Sequence, residues 1–380
     1  MARRAVVLVS NDLSFDQRVR KTVATLEADG WEVDVVGRLL PNSVEVPWTQ
    51  RATRHRLRFT RGKEFYAELT WVFTRDLMRR RDVQLIWAND LDTLLPARTA
   101  GWRRSIPVVY DSHEFFTEAE ALSKRRLQRL VWLVVERLTM PSCRSVITVN
   151  ESIAEALAAR YPRSRFGRPF VVRNMPMRRA EQAVPNRTLW ARYGVPADRP
   201  IVLMQGAFID RDRGGKIAVN TLEYLPDVTL VLIGAGSEFD WAQEQQPKWN
   251  GRLHCIPKLP HSELFPLTAS ADVGLSLDQG LCGNFYFSLP NKLFDYIQAG
   301  LPVVATDLPE VSRIVNEYLI GQTTPSSNPE VVADTIRNVL STPREIWQTR
   351  SERAAEVLNW ESDSANINRA IERAMHPFSD

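Results

Sequence analysis

Apolar runs of four to seven residues recur along this chain, each followed by a stretch patterned like a helix. That alternation confines the chain to parallel sheets covered by helices, because parallel strands need a long crossover connection between them. The first unit shows it most plainly. Ala5 to Val9 reads as a buried strand, Asp16 to Asp29 places Val19, Val23 and Leu26 at helical spacing, Gly30 stands in the stop position, and Trp31 to Val36 is the next strand. Further strands are expected at Gln84 to Trp87, Val108 to Asp111, Val146 to Val149 and Phe170 to Arg173, with helices over 93–103, 123–138 and 151–161.

Residues 174–200 change character: Pro176, Pro185, Pro196 and Pro200 punctuate a stretch with few apolar runs, which marks a domain boundary. A second alternation then predicts strands at Ile201 to Met204, Thr229 to Ile233, Leu253 to Ile256, Val273 to Leu277 and Val303 to Thr306. Helices are expected over 215–225, 237–246, 261–271, 290–299 and 309–317. The last 50 residues are patterned as helix, with an interruption at Trp360-Glu361-Ser362. The expected fold class is therefore α/β, two Rossmann-like doubly wound domains in tandem, over 1–175 and 176–361.

Composition narrows the function classes. With 44% hydrophobic and 25% charged residues, the chain buries full cores without staples. No apolar run approaches the roughly 20 residues of a membrane span, and Ala5 to Ser10 is too short for a signal-peptide core, so a cytoplasmic location is expected. Three scattered cysteines and five scattered histidines give neither a disulfide framework nor a metal site. Residues 1–175 carry 30 Lys and Arg against 20 Asp and Glu, and the remainder 19 against 25. Much of the excess lies in residues 51–81, from Arg51 to Arg81, with Phe59, Phe65, Tyr66, Trp71 and Phe73 interleaved. This segment reads as a solvated basic face over core aromatics, or as a peripheral contact with anionic membrane or an anionic acceptor. Nucleic acid is not expected as a partner, since no recognition helix, finger or RNP pattern accompanies the charge.

Ligands of doubly wound sheets bind beyond the carboxyl ends of the strands. The loop after the first strand, Ser10 to Phe15, has no glycine, which disfavours a dinucleotide cofactor. Gly234-Ala235-Gly236-Ser237-Glu238 follows a strand and opens a helix, as a phosphate-approaching loop does, although a plain tight turn explains it equally. Neither a P-loop nor a Gly-x-Ser-x-Gly elbow is present. Asp90-Leu91-Asp92 and Asp210-Arg211-Asp212 are read as solvated or ion-paired loop carboxylates, the second neutralised by Arg211 and Arg213. The richest segment runs from Ser288 to Ala305. Pro290 suits a first helical turn, and the free N–H groups there point at whatever lies above them. Lys292 adds a charge to the dipole, so this end attracts a phosphate. Asp295 falls one turn later on the same face, placed for ribose or sugar hydroxyls, and Gly300 ends the helix.

Taken in order, these residues resemble the retaining glycosyltransferases of family 4, whose GT-B fold sets two Rossmann-like domains across a cleft. The likeness covers nearly the whole chain. It rests on Val6 to Ser10 with Asp16-Gln17-Arg18-Val19, Tyr110 to Glu114, Val172 to Pro176, Gln205-Gly206 with Arg213-Gly214, Gly234 to Glu238, Ala271 to Val273, and Leu289 to Ala305. The resemblance implies a nucleotide-diphosphate sugar bound by the second domain, with Gly206, Arg211, Gly236, Glu238, Lys258, Pro290, Asn291, Leu293 and Asp295 around it. Arg213, Lys292 and the N–H groups near Asn291 hold its phosphates, Asp295 its ribose, and backbone from Ile256 to Leu259 meets the base. His113 matches the position that touches the donor sugar. Arg213, Lys292 and His113 form the implied catalytic set. Asp16, Arg18 and Glu114 lie on the acceptor side, and the final helix, 362–380, crosses back to the first domain.

The expected reaction is metal-independent transfer of a sugar, from UDP first and GDP or dTDP next, to a small-molecule, glycan or lipid-linked hydroxyl, with no cofactor. A nucleotide-sugar epimerase and a non-catalytic binding module are the alternatives. Three positions depart from the family pattern. Phe287 stands where relatives carry the first of two glutamates, leaving Asp278 or Asn284 to reach the sugar. Ala207 replaces an arginine, with Arg211 as the substitute. The Gly-rich loop after the first strand is missing.

Overall fold

The computed structural model describes residues 3–14, 16–179 and 184–376. The chain divides into two compact units, Met1–Asn174 with Asp363–Asp380, and Met175–Ser362. Each is a parallel sheet wrapped in helices.

In the first unit seven strands are described: β1 (Arg3–Asp12), β2 (Trp31–Arg38), β3 (Ala52–His55), β4 (Leu85–Asn89), β5 (Val108–Ser112), β6 (Ser145–Thr148) and β7 (Phe170–Val171). They lie in the order β3-β2-β1-β4-β5-β6-β7, all parallel. The connections are α1 (Gln17–Ala28), α2 (Gly62–Arg79), α3 (Asp90–Arg104), α4 (Glu120–Ser123), α5 (Arg126–Thr139) and α6 (Glu151–Arg160). The run Ala5–Val9 is buried on both faces, which is why it is apolar throughout. Strand order reverses between β1 and β4, so the crevice beyond their carboxyl ends is the unit's natural ligand position.

The second unit repeats the plan with β8 (Ile201–Gly206), β9 (Thr229–Gly234), β10 (Leu253–Pro257), β11 (Val273–Ser276), β12 (Val303–Thr306) and β13 (Gly321–Thr324), in the order β10-β9-β8-β11-β12-β13. Its helices are α7 (Gly215–Asn220), α8 (Ser237–Gln245), α9 (His261–Ala269), α10 (Gly283–Tyr286), α11 (Asn291–Gln298), α12 (Pro309–Tyr318), α13 (Pro329–Leu340) and α14 (Arg344–Val357). One core lies on each face of the sheet, around Leu203, Tyr296 and Val303 on one side and Met204, Leu232 and Val304 on the other. The reversal here falls between β8 and β11.

Two edge strands and one long helix were not expected. β3 and most of β13 are half-exposed, so neither carries an apolar run. α2 fills the basic segment, burying Phe65, Leu69, Phe73 and Leu77 at four-residue spacing. β7 is shorter than expected because the Arg173 N–H turns to Asp363 Oδ2 (2.8 Å) and leaves the ladder. The helix expected over 215–225 tightens at Thr221–Glu223, since Pro226 disfavours helical backbone at Leu225.

The last helix, α15 (Trp360–Met375), begins after a break at Leu358–Asn359. Residues 363 onward belong with the first unit, where Arg173 makes a bidentate pair with Asp363 (2.9 and 2.7 Å). Phe15 and the final four residues of the expected 362–380 helix lie outside the described residues.

Candidate functional site

In the second unit, both expected phosphate-binding cations converge on one carboxylate. Arg213 Nη1 lies 2.6 Å from Asp278 Oδ1, and Lys292 Nζ lies 3.1 Å from Asp278 Oδ2. Asp278 follows β11 and is buried, with Ser276 Oγ donating to it (3.2 Å). Burial alone raises this carboxyl; Lys292 and Arg213 outweigh burial and hold its pKa below the ordinary value. The approach is possible because residue 214 is glycine. Its φ is +76°, and a Cβ there would meet the Leu277 carbonyl at 2.4 Å. Arg213 also lies over the Phe285 ring, 4.8 Å from its centroid.

Lys292 sits at the start of α11, where unpaired N–H groups and the dipole add positive potential. Pro290 proves to be the N-cap (φ −71°, ψ 139°), with Asn291 the first helical residue and Leu293 buried in the core beneath. Asp295 does not share the surroundings of Lys292. Gln205 Nε2 donates to it (3.4 Å), and His261 Nε2 lies 3.7 Å away. Gly300 ends the helix with φ +65°.

Gly206 and the Gly234–Gly236 loop are closely packed: a Cβ on Gly234 would meet the Gly206 carbonyl at 2.2 Å. Gly236 has φ +116°, and a Cβ there would meet Asp210 Oδ1 at 2.8 Å, a carboxylate that accepts from Ser237 N (2.8 Å). Glu238 is turned inward: its carboxylate accepts from Lys216 N (3.0 Å) and from the Gly215 N–H, so it caps α7. Lys258 is exposed, with Nζ over the Phe208 ring at 3.5 Å. Arg211 is exposed on a turn whose carbonyl accepts from Gln279. Phe287 stacks edge-on against Tyr286, and Asn284 beside it is buried.

The first unit gathers a charged cluster at the carboxyl ends of β4 and β5. Their register pairs Asn89 with Asp111, which brings Asn89, Asp90, Asp111 and His113 together. His113 Nδ1 lies 3.3 Å from Asp90 Oδ2, and Nε2 lies 3.0 Å from Asn89 Oδ1 and 3.6 Å from Asp111 Oδ2. The His113 N–H donates to Asp90 Oδ1 (3.0 Å). Burial opposes the imidazolium, but the Asp90 and Asp111 carboxylates prevail and raise its pKa to about 9. Arg18 is buried against Asp111 (2.7 Å) and donates to the Val172 carbonyl (2.8 Å). Asp16 is the N-cap of α1, accepting from Val19 N (3.0 Å). The Glu114 carbonyl accepts from Ser112 Oγ. Of this cluster, the sequence points to His113, Arg18, Asp16 and Glu114, whereas the role of Asp111 comes from its contacts with Arg18 and His113.

Of the two Asp-x-Asp triplets, Asp90 is ion-paired with His113 and Asp210 is exposed in its loop, as expected, whereas Asp92 and Asp212 each hold a carboxylate oxygen away from solvent. Asp90 and Asp92 form the first turn of α3, Asp90 with φ +61°. Asp92 Oδ1 is buried without a hydrogen-bond partner, and burial, then Asp90, raises its pKa to about 7. Asp212 is buried, and Arg213, expected to neutralise the second triplet, is committed to Asp278. In the basic segment, several arginines serve the fold: Arg51 pairs with Glu32 (2.8 Å), and Arg80 with Asp34 and Asp76. Trp71 and Phe59 are exposed, whereas Phe65 and Phe73 are buried. No described helix is long and apolar enough to cross a membrane.

Two families match the chain: "Glycosyl transferase 4-like domain" over residues 16–175 and "Glycosyl transferases group 1" over residues 199–342. No curated protein sequence matches. Among solved structures, sucrose-phosphate synthase from Thermosynechococcus elongatus superposes with a TM-score of 0.76 at 20% identity, covering 98% of each chain. Anabaena HepE in complex with UDP-glucose gives 0.72 at 16%, covering 97% of this chain and 99% of that one. An E. coli structure described as trehalose-6-phosphate bound with UDP-2-fluoro glucose gives 0.71 at 12%, covering 98% and 99%.

Proposed function

We propose that the protein, a glycosyltransferase of the GT-B fold, moves a sugar from a nucleoside diphosphate to an acceptor hydroxyl, metal-independently and with retention at the anomeric carbon. The observation that carries this reading is the convergence of Arg213 and Lys292 on Asp278 at the head of α11. Two cations share one buried carboxylate, so the group has a net positive charge besides the helix dipole. An incoming diphosphate takes over what Asp278 holds in the free protein.

The chemistry is charge stabilisation. As the glycosidic bond breaks, negative charge grows on the leaving diphosphate, and fixed cations favour that state over the ground state. Arg213 and Lys292 supply the neutralisation that a divalent cation supplies elsewhere. His113, charged at neutral pH, is a donor and not a base. The acceptor proton then passes to a donor phosphate oxygen on the face the leaving group vacates, which gives retention. By the family likeness His113 contacts the transferred sugar, Asp295 the ribose, and the first unit the acceptor. UDP is the first candidate nucleotide, because HepE and the E. coli structure are bound to UDP sugars.

The test is a thermal-shift series with UDP, GDP, dTDP and NAD, each with and without EDTA. A ligand at about 100 times its Kd adds roughly 2.7 kcal/mol. Stabilisation by one nucleoside diphosphate irrespective of EDTA is expected; stabilisation by NAD alone, or only with a divalent cation, overturns the reading. Proton NMR of the product's anomeric centre tests retention.

A further inference from the structure

Helix α5 carries an apolar stripe on its exposed face. Its buried residues are Glu136 and Thr139, both polar. Its apolar residues Leu127, Leu130, Val131, Val134 and Leu138 are 49 to 75% exposed. They fall at i, i+3, i+4, i+7 and i+11, a single stripe about 17 Å long at 1.5 Å per residue. The helix is held to its unit by Trp132, whose ring meets Tyr66 and Phe116 edge-on (4.7 and 4.9 Å), and by polar contacts. Glu136 accepts from Tyr161 (2.6 Å) and pairs with Arg160 (3.1 Å), and Arg129 pairs with Glu118 (2.6 Å) and donates to the Thr117 carbonyl. Nothing about the fold of the unit asks for five large apolar side chains on the outside, and a continuous exposed patch marks an interaction surface.

The rim of the stripe says what covers it. Arg126, Arg137 and Arg163 are exposed and have no ion pair among the described residues, and Arg125 and Lys124 precede the helix on the same chain segment. A cavity of about 730 Å³ lies beside the stripe, lined among others by Leu130, Val134, Arg137, Pro141, Tyr161 and Arg163. An apolar face with a cationic border matches a surface that is apolar below and anionic above. A second copy of this chain is disfavoured, because pairing two such faces brings like charges together.

We propose that α5 docks on an anionic lipid bilayer, with Leu127, Leu130, Val131, Val134 and Leu138 entering the interface and Arg126, Arg137 and Arg163 meeting lipid phosphates. The cavity takes one such phosphate with the start of its chain. This relocates the expected membrane contact from residues 51–81 to residues 124–138 with Arg163, and it does not depend on the identity of the donor. The docking helix is tied to the segment carrying His113, through Arg129 to Glu118 and through Arg160, which lies over the Phe115 ring at 4.5 Å.

The experiment is flotation of the full chain with vesicles of phosphatidylcholine alone or of equimolar phosphatidylcholine and phosphatidylglycerol, at low and at molar salt. Leu130→Gln with Val134→Gln and Arg126→Glu with Arg137→Glu are compared with the unaltered protein, and thermal melting verifies folding, since all four side chains are exposed. The expected result is binding to the anionic vesicles at low salt, at least a tenfold loss in both double variants, and unchanged melting. Absence of flotation overturns the proposal. So does flotation that survives both double variants but is lost in Arg58→Glu with Lys63→Glu, which returns the contact to the 51–81 segment. A dimer in sedimentation equilibrium that dissociates in Leu130→Gln with Val134→Gln also overturns it, by assigning the stripe to a second copy.

Discussion

Asp278 sets the charge that a ligand meets at the head of α11. Arg213 and Lys292 point at it from two elements, so removing either cation leaves the carboxylate half-neutralised and the diphosphate poorly held. Arg213→Ala or Lys292→Ala is expected to lower kcat by about 10²-fold to 10³-fold, read in a donor-saturated transfer assay; unchanged turnover removes the phosphate assignment. Asp278→Asn separates the carboxylate's two roles. Two neighbouring cations lose their counter-charge, which costs about 1–3 kcal/mol in the free protein, while a nucleoside diphosphate no longer competes with Asp278. Melting without ligand is therefore expected to fall, and the gain on adding UDP to exceed that of the unaltered protein. An equal gain in both shows that the ligand does not contact these cations.

At the scale of elements, α1 shows how a functional assignment and a structural one meet on one side chain. Asp16, implied on the acceptor side by family likeness, caps the helix through Val19 N, and α1 in turn presents Arg18 to Asp111. Asp16→Ala is expected to lower stability by about 1 kcal/mol, and Asp16→Asn, which also caps, by far less. Denaturant melts of the two variants measure the difference; an equal loss in both shows that the charge matters more than the cap. The central strands were legible because parallel strands buried on both faces must be apolar, and β12 was read at its full length, Val303–Thr306. β3 and β13 were not legible, since an edge strand with half-exposed side chains such as Thr53 and Gln322 carries no such run. α2 carries Phe65, Leu69, Phe73 and Leu77 at helical spacing, but the basic residues in and around it mask that stripe. In the candidate site, Lys292 and Arg213 could be named from sequence, and Asp278 only as a candidate for the sugar, not as the partner the two cations share. Asp278 is 65 positions from Arg213 in the chain, and only the packing of β11 against the Gly214 turn joins them.

For the molecule as a whole, the charged cluster beyond β4 and β5 makes stability depend on pH with a sign that can be worked out. His113 has its pKa raised from 6.5 to about 9, so its folded-state charge is favoured over that in the unfolded chain. The stabilisation is fully present below about 6.5 and is lost as pH rises through about 9, with a size of about 3 kcal/mol for a shift of this order. Asp111 acts at the other limb: with its pKa depressed by Arg18 and His113 against the effect of burial, it stabilises above about pH 4 and loses that contribution as pH falls further. Asp92, raised to about 7 by burial and by Asp90, has the reverse sign to Asp111, costing stability as pH rises from about 4 to 7. The measurable consequence is a comparison of the protein with His113→Gln between pH 6 and pH 10. The difference in unfolding free energy is expected to be largest near pH 6 and to shrink through pH 9, because the deprotonated imidazole no longer answers the two carboxylates. A difference that stays constant over this range shows that His113 is neutral in the folded protein, and with it falls the assignment of His113 as a charged donor in place of a base.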